Sequence, residues 1–227
     1  MREKRNLLTG IVLIGAFALW TVLIQYVDVQ TVGQNETKIG FAAFNVWFHQ
    51  LTGVHMTLYT ITDWLGLVPI FICLCFGAMG LVQLIKSRSL FKVDADVLLL
   101  GVYYMLVIAG YLIFEMIPIN YRPILIEGRL EASYPSSTAL LVLSVMPTLM
   151  FQAYRRVENT LIKKAVAVFV IAFSMFMVIG RLISGVHWVT DIIGSVLLSS
   201  GVFMLYRSAV IYTDKVKKAD RSKDGIQ

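Results

Sequence analysis

The sequence predicts an all-α polytopic membrane protein with six transmembrane helices and with both termini in the cytoplasm. Hydrophobic residues make up 58% of the 227 residues and charged residues only 15%. A water-soluble domain of this length cannot bury so much apolar surface. Apolar segments of about 20 residues recur six times, and basic residues cluster at alternate breaks between them. The composition therefore excludes a soluble globular domain.

Each of the six segments is long enough to cross the hydrocarbon core of a bilayer as a helix. Polar and charged residues mark the breaks. We place the spans near Leu7–Val27, Trp64–Ile85, Val97–Ile117, Ser136–Tyr154, Leu161–Ile179 and Val186–Tyr206. A single membrane domain is expected over residues 1–213, followed by a polar cytoplasmic tail over residues 214–227.

The distribution of lysine and arginine predicts the orientation. With six spans, sixteen of the twenty basic residues fall on the side that holds both termini. The other four are Lys38, Arg122, Arg129 and Arg181. Because short loops rich in basic residues stay in the cytoplasm, both termini are expected there. The net charge of +6 follows from this asymmetry and does not indicate nucleic-acid binding.

The first connection on the opposite, external side is long and runs from Asp28 to Asp63. Within it, bulky apolar residues around Phe41–Leu51 predict a short amphipathic helix at the lipid interface. His49 and His55 also lie in this connection. Neither has a pattern of metal or catalytic partners nearby, so both are interpreted as solvated or interfacial side chains.

The richest chemistry lies in a short stretch that precedes and opens the last span. His187 and Asp191 stand four residues apart, a spacing that places both on one face of a helix. A carboxylate in that position holds the imidazole in one tautomer and makes its other nitrogen a better nucleophile or base. Arg181 lies six residues upstream and offers a fork of donors suited to phosphate. The alternative is a buried ion pair with a helix-capping arginine, but ionisable groups at membrane depth usually have a function.

A second external connection carries groups that suit an anion. Pro118 and Pro123 break the helix around Arg122. Ser136 and Ser137 follow Pro135 at the start of the fourth span. Hydroxyls and free N–H groups at a helix start favour anion binding, although an ordinary capping turn has the same composition.

Three separate segments thus bring two arginines, a hydroxyl-rich helix start and a carboxylate-oriented histidine to one membrane face. Together these groups describe a phosphoryl-transfer site with a histidine nucleophile. Their convergence is more specific than any one of them.

At these residues the sequence resembles the type 2 phosphatidic acid phosphatase family, the membrane relatives of vanadium haloperoxidases. That family has three motifs: Lys-x6-Arg-Pro, Pro-Ser-Gly-His and Ser-Arg-x5-His-x3-Asp. Arg181, His187 and Asp191 match the spacing of the third motif, with Gly180 in place of its serine. The resemblance covers residues 63–206 and includes the order of the motifs. It implies a six-helix bundle of that family's type.

The first two motifs are matched in part. Arg122-Pro123 fits the first motif, but Glu115 stands where the family has lysine. Pro135-Ser136 fits the second motif, with Ser137 for glycine and Thr138 for histidine.

The resemblance implies a two-step hydrolysis of a lipid phosphate or lipid diphosphate on the external face. His187 would attack phosphorus to form a phosphohistidine, with Asp191 as its orienting group. Arg122, Arg181, Ser136 and Ser137 would hold the phosphate oxygens, and water would then release phosphate. The resemblance implies neither a metal nor another cofactor.

The two departures predict a change of substrate. Thr138 cannot protonate a leaving alkoxide at neutral pH, and loss of a general acid costs about 10²–10⁴ in rate. A diphosphate leaves behind a phosphate, which needs little protonation. Glu115 would repel a phosphate when ionised, whereas a protonated Glu115 could donate a hydrogen bond or act as the missing acid. The departures therefore favour lipid diphosphates over lipid monoesters.

Two other functions fit the same residues. A catalytically impaired relative would bind phospholipid or lipid-diphosphate headgroups, which the altered second motif favours and the retained His187–Asp191 pair opposes. A phosphotransferase would pass the phosphoryl group from His187 to another lipid or a glycan. Analysis of the products distinguishes it from a hydrolase.

Overall fold

The structure of the protein is a computed structural model that describes the backbone of residues 2–224 and the side chains through residue 219. It is almost entirely helical. Its helices are α1 Arg2–Tyr26, α2 Ala42–Thr52, α3 Met56–Leu65, α4 Leu67–Ser87, α5 Ala95–Met116, α6 Ser137–Arg156, α7 Thr160–Ile183 and α8 Val189–Asp224. Strands β1 Gln30–Thr31 and β2 Lys38–Ile39 form a short antiparallel hairpin.

The predicted all-α class and the six spans are confirmed. Helices α1, α5, α6 and α7, the joined pair α3–α4, and α8 through Ala219 are long and apolar enough to cross a membrane. Because the chain crosses six times, both termini lie at one end of the bundle, called here the termini end. The connections at residues 27–55, 117–136 and 184–188 meet at the other end, called here the site end. The predicted tail continues α8 through Asp224, and residues 225–227 lie outside the described residues.

The second span begins earlier than the sequence indicated. Helix α3 starts at Met56, and Gly66 joins it to α4 in a helical backbone conformation. The polar residues Thr60, Thr62 and Asp63 lower the hydropathy of this stretch, which is why the prediction began at Trp64. The buried Thr62 side chain instead donates its hydroxyl to the carbonyl oxygens of Leu58 and Tyr59. Helix α3 is therefore part of the bundle and brings polar groups to the site end.

The outer surface of the bundle is apolar, as a lipid solvent favours, and its interior holds both polar and apolar side chains. Large side chains such as Leu8, Phe71 and Val168 are exposed on its outer surface. Most of the buried polar and charged residues lie on α6, on α8 and in the connections at the site end. Apolar clusters around Met146 of α6 and Tyr206 of α8 fill the remaining interior.

Helix α1 packs along α8 over most of its length because glycines allow a close approach. A Cβ atom added at Gly10 would lie 2.7 Å from the side chain of Leu205 and 3.1 Å from the carbonyl oxygen of Gly201. A Cβ atom at Gly201 would lie 2.8 Å from Ile14. Such small residues are typical of helix contacts in membranes. The contact fixes α8, which carries Asp191.

A charged network closes the termini end of the bundle. Asp96 at the start of α5 accepts hydrogen bonds from Arg155 and Arg156 at the end of α6. Arg155 also binds Asp214 of α8, with an Nη1–Oδ2 distance of 2.7 Å. Three spans are therefore held together at the end opposite the site.

The predicted short helix near Phe41–Leu51 is present as α2, and it packs against the start of α8. Asn45 is buried and donates its amide to the Thr190 hydroxyl over 3.1 Å. On its other face α2 exposes Phe44, Trp47 and Leu51. Its location at a lipid interface stays a prediction that these exposed side chains favour.

The close contact between α1 and α8 leads to a stability prediction. Gly10→Val should lower the thermal midpoint of the detergent-solubilised protein, since overpacking costs about 1–3 kcal/mol. Gly15→Val on the same helix is the matched control, because a Cβ atom at Gly15 meets nothing within 4 Å. Equal midpoints for the two variants, measured by thermal unfolding, would contradict the assigned packing.

Candidate active site

The site lies where the turn between α7 and α8 meets the connection that precedes α6. Gly185 allows this turn through its positive φ of 71°, and a side chain there would overlap the backbone of Gly53. The N–H of His55 donates to the carbonyl oxygen of Ser184 over 3.0 Å. The connection between α2 and α3 therefore holds the turn that carries His187 in place.

His187 is buried and has two different nitrogen environments. Its Nδ1 atom lies 3.2 Å from the carbonyl oxygen of Ser133 and 3.2 Å from the Ser133 hydroxyl. Its Nε2 atom has no hydrogen-bond partner among the described side chains and backbone. Because the Ser133 carbonyl can only accept, we assign the ring proton to Nδ1. The lone pair of Nε2 is then free to attack.

Asp191 lies close to the imidazole, but His187 precedes α8 rather than lying on it. The distance from Asp191 Oδ2 to His187 Nδ1 is 3.7 Å, which is an ion-pair distance too long for a hydrogen bond. Asp191 Oδ2 instead accepts the N–H of Trp188 over 2.8 Å. Trp188 is the cap and Asp191 the third residue of α8, an arrangement that satisfies a free N–H at the helix start. The side chains of His187 and Asp191 are close together, as predicted. They do not lie on one face of a helix, because His187 precedes α8.

Ser133 is the site residue that the sequence did not reveal. Its hydroxyl donates to Asp191 Oδ2 and also lies within hydrogen-bond distance of His187 Nδ1. The side chain therefore bridges the carboxylate and the imidazole. Ser133 precedes the second motif by two residues, and no spacing rule connects it to residues more than fifty positions away.

Arg122 and Arg181 lie together around the ring of Tyr59. The guanidinium carbons are 5.8 Å and 4.8 Å from the ring centroid, respectively. Arg122 Nη2 pairs with Glu131 at 3.2 Å, and Arg181 Nη1 lies 3.5 Å from Asp63. In both arginines the Nε and Nη1 atoms are buried and lack a hydrogen-bond partner within the described part of the chain. Two neighbouring guanidinium groups thus keep buried donors that lack a hydrogen bond to any described residue, although Arg181 Nη1 lies within ion-pair distance of Asp63.

The residue before α6 carries a further buried hydroxyl without a hydrogen bond in the described chain. Ser136 is fully buried, and its Oγ atom has no partner among residues 2–219. Its backbone N–H is already bonded to the carbonyl oxygen of Asp191 at 3.4 Å. Ser136 can therefore serve a bound anion through its hydroxyl.

Ser137 and Thr138 face a different space. They line a cleft of about 390 Å³ between α4 and α5, together with apolar residues and with Asp63 and Tyr111. Glu115 is exposed in the last turn of α5 and lines a smaller recess that also reaches Ser137. Neither an ion pair nor a hydrogen bond joins Glu115 to Arg122 within the described residues. Most of the residues that line the cleft between α4, α5 and α6 are apolar.

His49 contributes to the site more than the sequence indicated. The prediction was a solvated or interfacial side chain. Its Nε2 atom instead donates to the carbonyl oxygen of Gly185 over 3.1 Å, and its ring packs against Trp188. His55 is exposed, and its ring bonds the carbonyl oxygen of Thr52. His49 therefore supports the turn that carries His187.

The surroundings keep His187 neutral. Burial lowers its pKa well below the ordinary value, and the charges of Arg122 and Arg181 lower it further, whereas the hydrogen bond to Ser133 raises it. A neutral imidazole whose Nε2 has no hydrogen-bond partner among the described residues has the chemical properties that a nucleophile requires.

Comparison with known proteins agrees with this fold. The six candidate membrane spans, with a buried histidine and two buried arginines near one end, define an integral membrane protein with a polar, charged site. The model of the PAP2 superfamily matches residues 97–215, which is more than half of the sequence, and the chain belongs to that superfamily. The family resemblance read from the motifs is therefore confirmed.

A solved structure supports the same fold. It is the crystal structure of a transmembrane PAP2-type phosphatidylglycerolphosphate phosphatase from Bacillus subtilis. The two chains share 15% identity with a TM-score of 0.66, and the match covers 92% of this chain and 97% of that one. No curated protein matches the sequence.

The neutral state of His187 predicts how stability depends on pH. The unfolded chain protonates this histidine near pH 6.5, whereas the folded pocket resists protonation. The stability contributed by neutral His187 is thus complete above about pH 6.5 and is lost as the pH falls toward its lowered folded pKa. The thermal midpoint should fall more steeply between about pH 7.5 and pH 5 in the wild type than in His187→Gln. His55→Gln, which removes an exposed histidine, should keep the steep dependence of the thermal midpoint on pH. Equal slopes for the wild type and His187→Gln would refute the assignment of a neutral, buried His187.

Proposed function

We propose that this protein removes phosphate from a lipid diphosphate, and more slowly from a lipid phosphate, through a phosphohistidine at His187. The observation that carries the proposal is a group of buried polar atoms without partners in the described chain. His187 Nε2, Ser136 Oγ, and the Nε and Nη1 atoms of Arg122 and Arg181 are all in this group. Each unpaired buried polar atom costs stability. A bound phosphoryl group would accept hydrogen bonds from the arginine nitrogens and the Ser136 hydroxyl and would present its phosphorus to the lone pair of His187 Nε2.

The first half of the reaction uses these groups together. Nε2 of His187 attacks phosphorus, the bond to the leaving oxygen breaks, and the imidazole becomes positively charged with its proton still on Nδ1. Asp191 lies 3.7 Å from that nitrogen and stabilises the new charge. Arg122 and Arg181 stabilise the charge on the phosphoryl oxygens. Water then attacks the phosphohistidine and releases phosphate.

The cleft beside Thr138 supports a lipid substrate. Its walls are largely apolar and come from α4, α5 and α6, and Leu67, Ile70, Val107 and Ile108 lie along it. A phosphate held by the arginines would place its organic substituent in this cleft, within the depth of the spans. Because Thr138 is a poor proton donor, a leaving group of low basicity is favoured, as a lipid diphosphate provides.

The side of the membrane follows from charge. The basic residues of the sequence concentrate at the termini end, so the positive-inside rule places that end in the cytoplasm. The site end then faces the external side of the plasma membrane. The substrate would be a lipid whose phosphate is exposed on that side.

Two alternatives remain as outcomes of the test. An impaired relative would bind the same headgroups without turnover. A phosphotransferase would form the same phosphohistidine and pass the group to another lipid or a glycan. The free Nε2 beside two cations favours a reactive site over a simple binding site.

The first test is phosphate release by the purified protein in detergent. The panel is phosphatidic acid, phosphatidylglycerol phosphate and a polyprenyl diphosphate, each with the His187→Ala variant beside the wild type. The polyprenyl diphosphate should be hydrolysed fastest, and His187→Ala should abolish release from all three. Faster hydrolysis of the monoesters would refute the preference for diphosphates, and activity in His187→Ala would refute the nucleophile. Binding of all three lipids without release would establish the impaired relative.

The position of Ser133 predicts a separate effect on turnover. Ser133→Ala removes a hydrogen bond to a carboxylate, a loss of about 1.5–3 kcal/mol. We expect kcat to fall about 10- to 100-fold with little change in KM, because Ser133 does not contact the phosphate site directly. Ser133→Thr keeps the hydroxyl and should recover most of the rate. A change in KM alone, in steady-state phosphate release, would contradict this role.

A further inference from the structure

We propose that Asp63 is a catalytic residue, the general base that activates water for hydrolysis of the phosphohistidine. The inference rests on the proposed function and deepens it, because it names the group that takes over proton transfer in a site without the usual second-motif histidine. Neither the sequence motifs nor the family resemblance marks Asp63.

Asp63 lies beside Arg181 and also lines the cleft beside Thr138. Its Oδ1 atom lies 3.5 Å from Nη1 of the buried Arg181. Its side chain is 58% exposed, and it lines the cleft beside Thr138. A water molecule beside this carboxylate is therefore close to a phosphoryl group held by Arg181. The proposed reaction needs a group in this same space that transfers protons on the side of phosphorus from which the leaving group departs.

Helix α3 holds Asp63 in place through a departure from the third motif. Gly180 stands where the family has serine, and a Cβ atom there would lie 2.7 Å from Cγ2 of Thr62. The glycine thus allows α3 to pack closely on α7. Tyr59, one helical turn before Asp63, stacks on Arg181 as a result. The same approach brings the Asp63–Gly66 turn against Thr138, whose Cγ2 atom would lie 3.7 Å from a Cβ atom at Gly66.

The proposed step balances without a further reactant. The Asp63 carboxylate takes a proton from water while the water oxygen forms a bond to phosphorus. The P–Nε2 bond breaks, and its electron pair returns to the imidazole, which becomes neutral with its proton on Nδ1. The proton on Asp63 then passes to the departing phosphate or to solvent. Asp63 is regenerated as a carboxylate.

The chain offers two matched controls. Glu131 pairs with Arg122 as Asp63 pairs with Arg181, but Glu131 does not line the cleft beside Thr138. Glu131→Gln therefore removes the same charge from the arginine pair without removing the proposed base. Glu115→Gln tests the other carboxylate near the helix start of α6.

The experiment follows both half-reactions in the full-length protein. Purified protein is mixed with a polyprenyl diphosphate labelled in its terminal phosphate, quenched with alkali, and assayed for labelled protein and free phosphate. Asp63→Asn should form the phosphoenzyme at near wild-type rate and accumulate it, while steady-state phosphate release falls about 100-fold. Thr138→His in the Asp63→Asn background should restore release, because histidine supplies a base to the same cleft. Glu131→Gln and Glu115→Gln should not accumulate phosphoenzyme.

Three results would overturn the inference. The first is wild-type release by Asp63→Asn, and the second is slow release without accumulation of phosphoenzyme. The third is phosphoenzyme that still accumulates when Thr138→His is added to Asp63→Asn. A base restored to the cleft would then fail to replace the lost one, so the lost base would lie outside the cleft. Asp63→Ala with added formate guards against a folding defect, since formate should raise release at least tenfold if the cleft is intact. His187→Ala separates this test from the proposed function, because labelled protein in that variant would refute the nucleophile and not Asp63.

Discussion

Two buried guanidinium groups are the constraint on which the rest of the site depends. An isolated charge inside an apolar bundle is costly, and two like charges side by side are more so. The structure compensates Arg122 and Arg181 with one aromatic ring and two carboxylates, drawn from α3 and from the connection before α6. In both arginines the Nε and Nη1 atoms lack a hydrogen-bond partner among the described residues, although Arg181 Nη1 lies within ion-pair distance of Asp63. The fold therefore holds two charge-compensated arginines in a fixed place, and their charges lower the pKa of His187 beyond the effect of its burial.

The sequence predicts those parts of the molecule that depend on local pattern. Hydropathy locates the six spans. The spacing of Arg181, His187 and Asp191 indicates the candidate site because these residues are close in the chain. The contribution of Ser133 could not be predicted, since it meets His187 only through tertiary packing. The start of the second span was missed for a related reason: polar side chains of α3 lower its hydropathy while serving the interior. Hydropathy treats every polar residue as facing water, and here Thr62 does not.

The departures from the family motifs are coupled in space although they are scattered in sequence. Gly180 permits the close approach of α3, α3 carries Tyr59 and Asp63 to Arg181, and the turn after Asp63 packs against Thr138. Under the proposed function, this arrangement would supply a site that has an altered second motif with a carboxylate, Asp63, beside Arg181. The altered motif is therefore compatible with the proposed turnover.

The hydrogen bond from His49 to the carbonyl oxygen of Gly185 joins the surface of the bundle to its interior. Helix α2 exposes Phe44, Trp47 and Leu51 on one face. On the other face it bonds the turn before His187 through His49 and the start of α8 through Asn45. A displacement of α2 would therefore be transmitted to the backbone on both sides of His187.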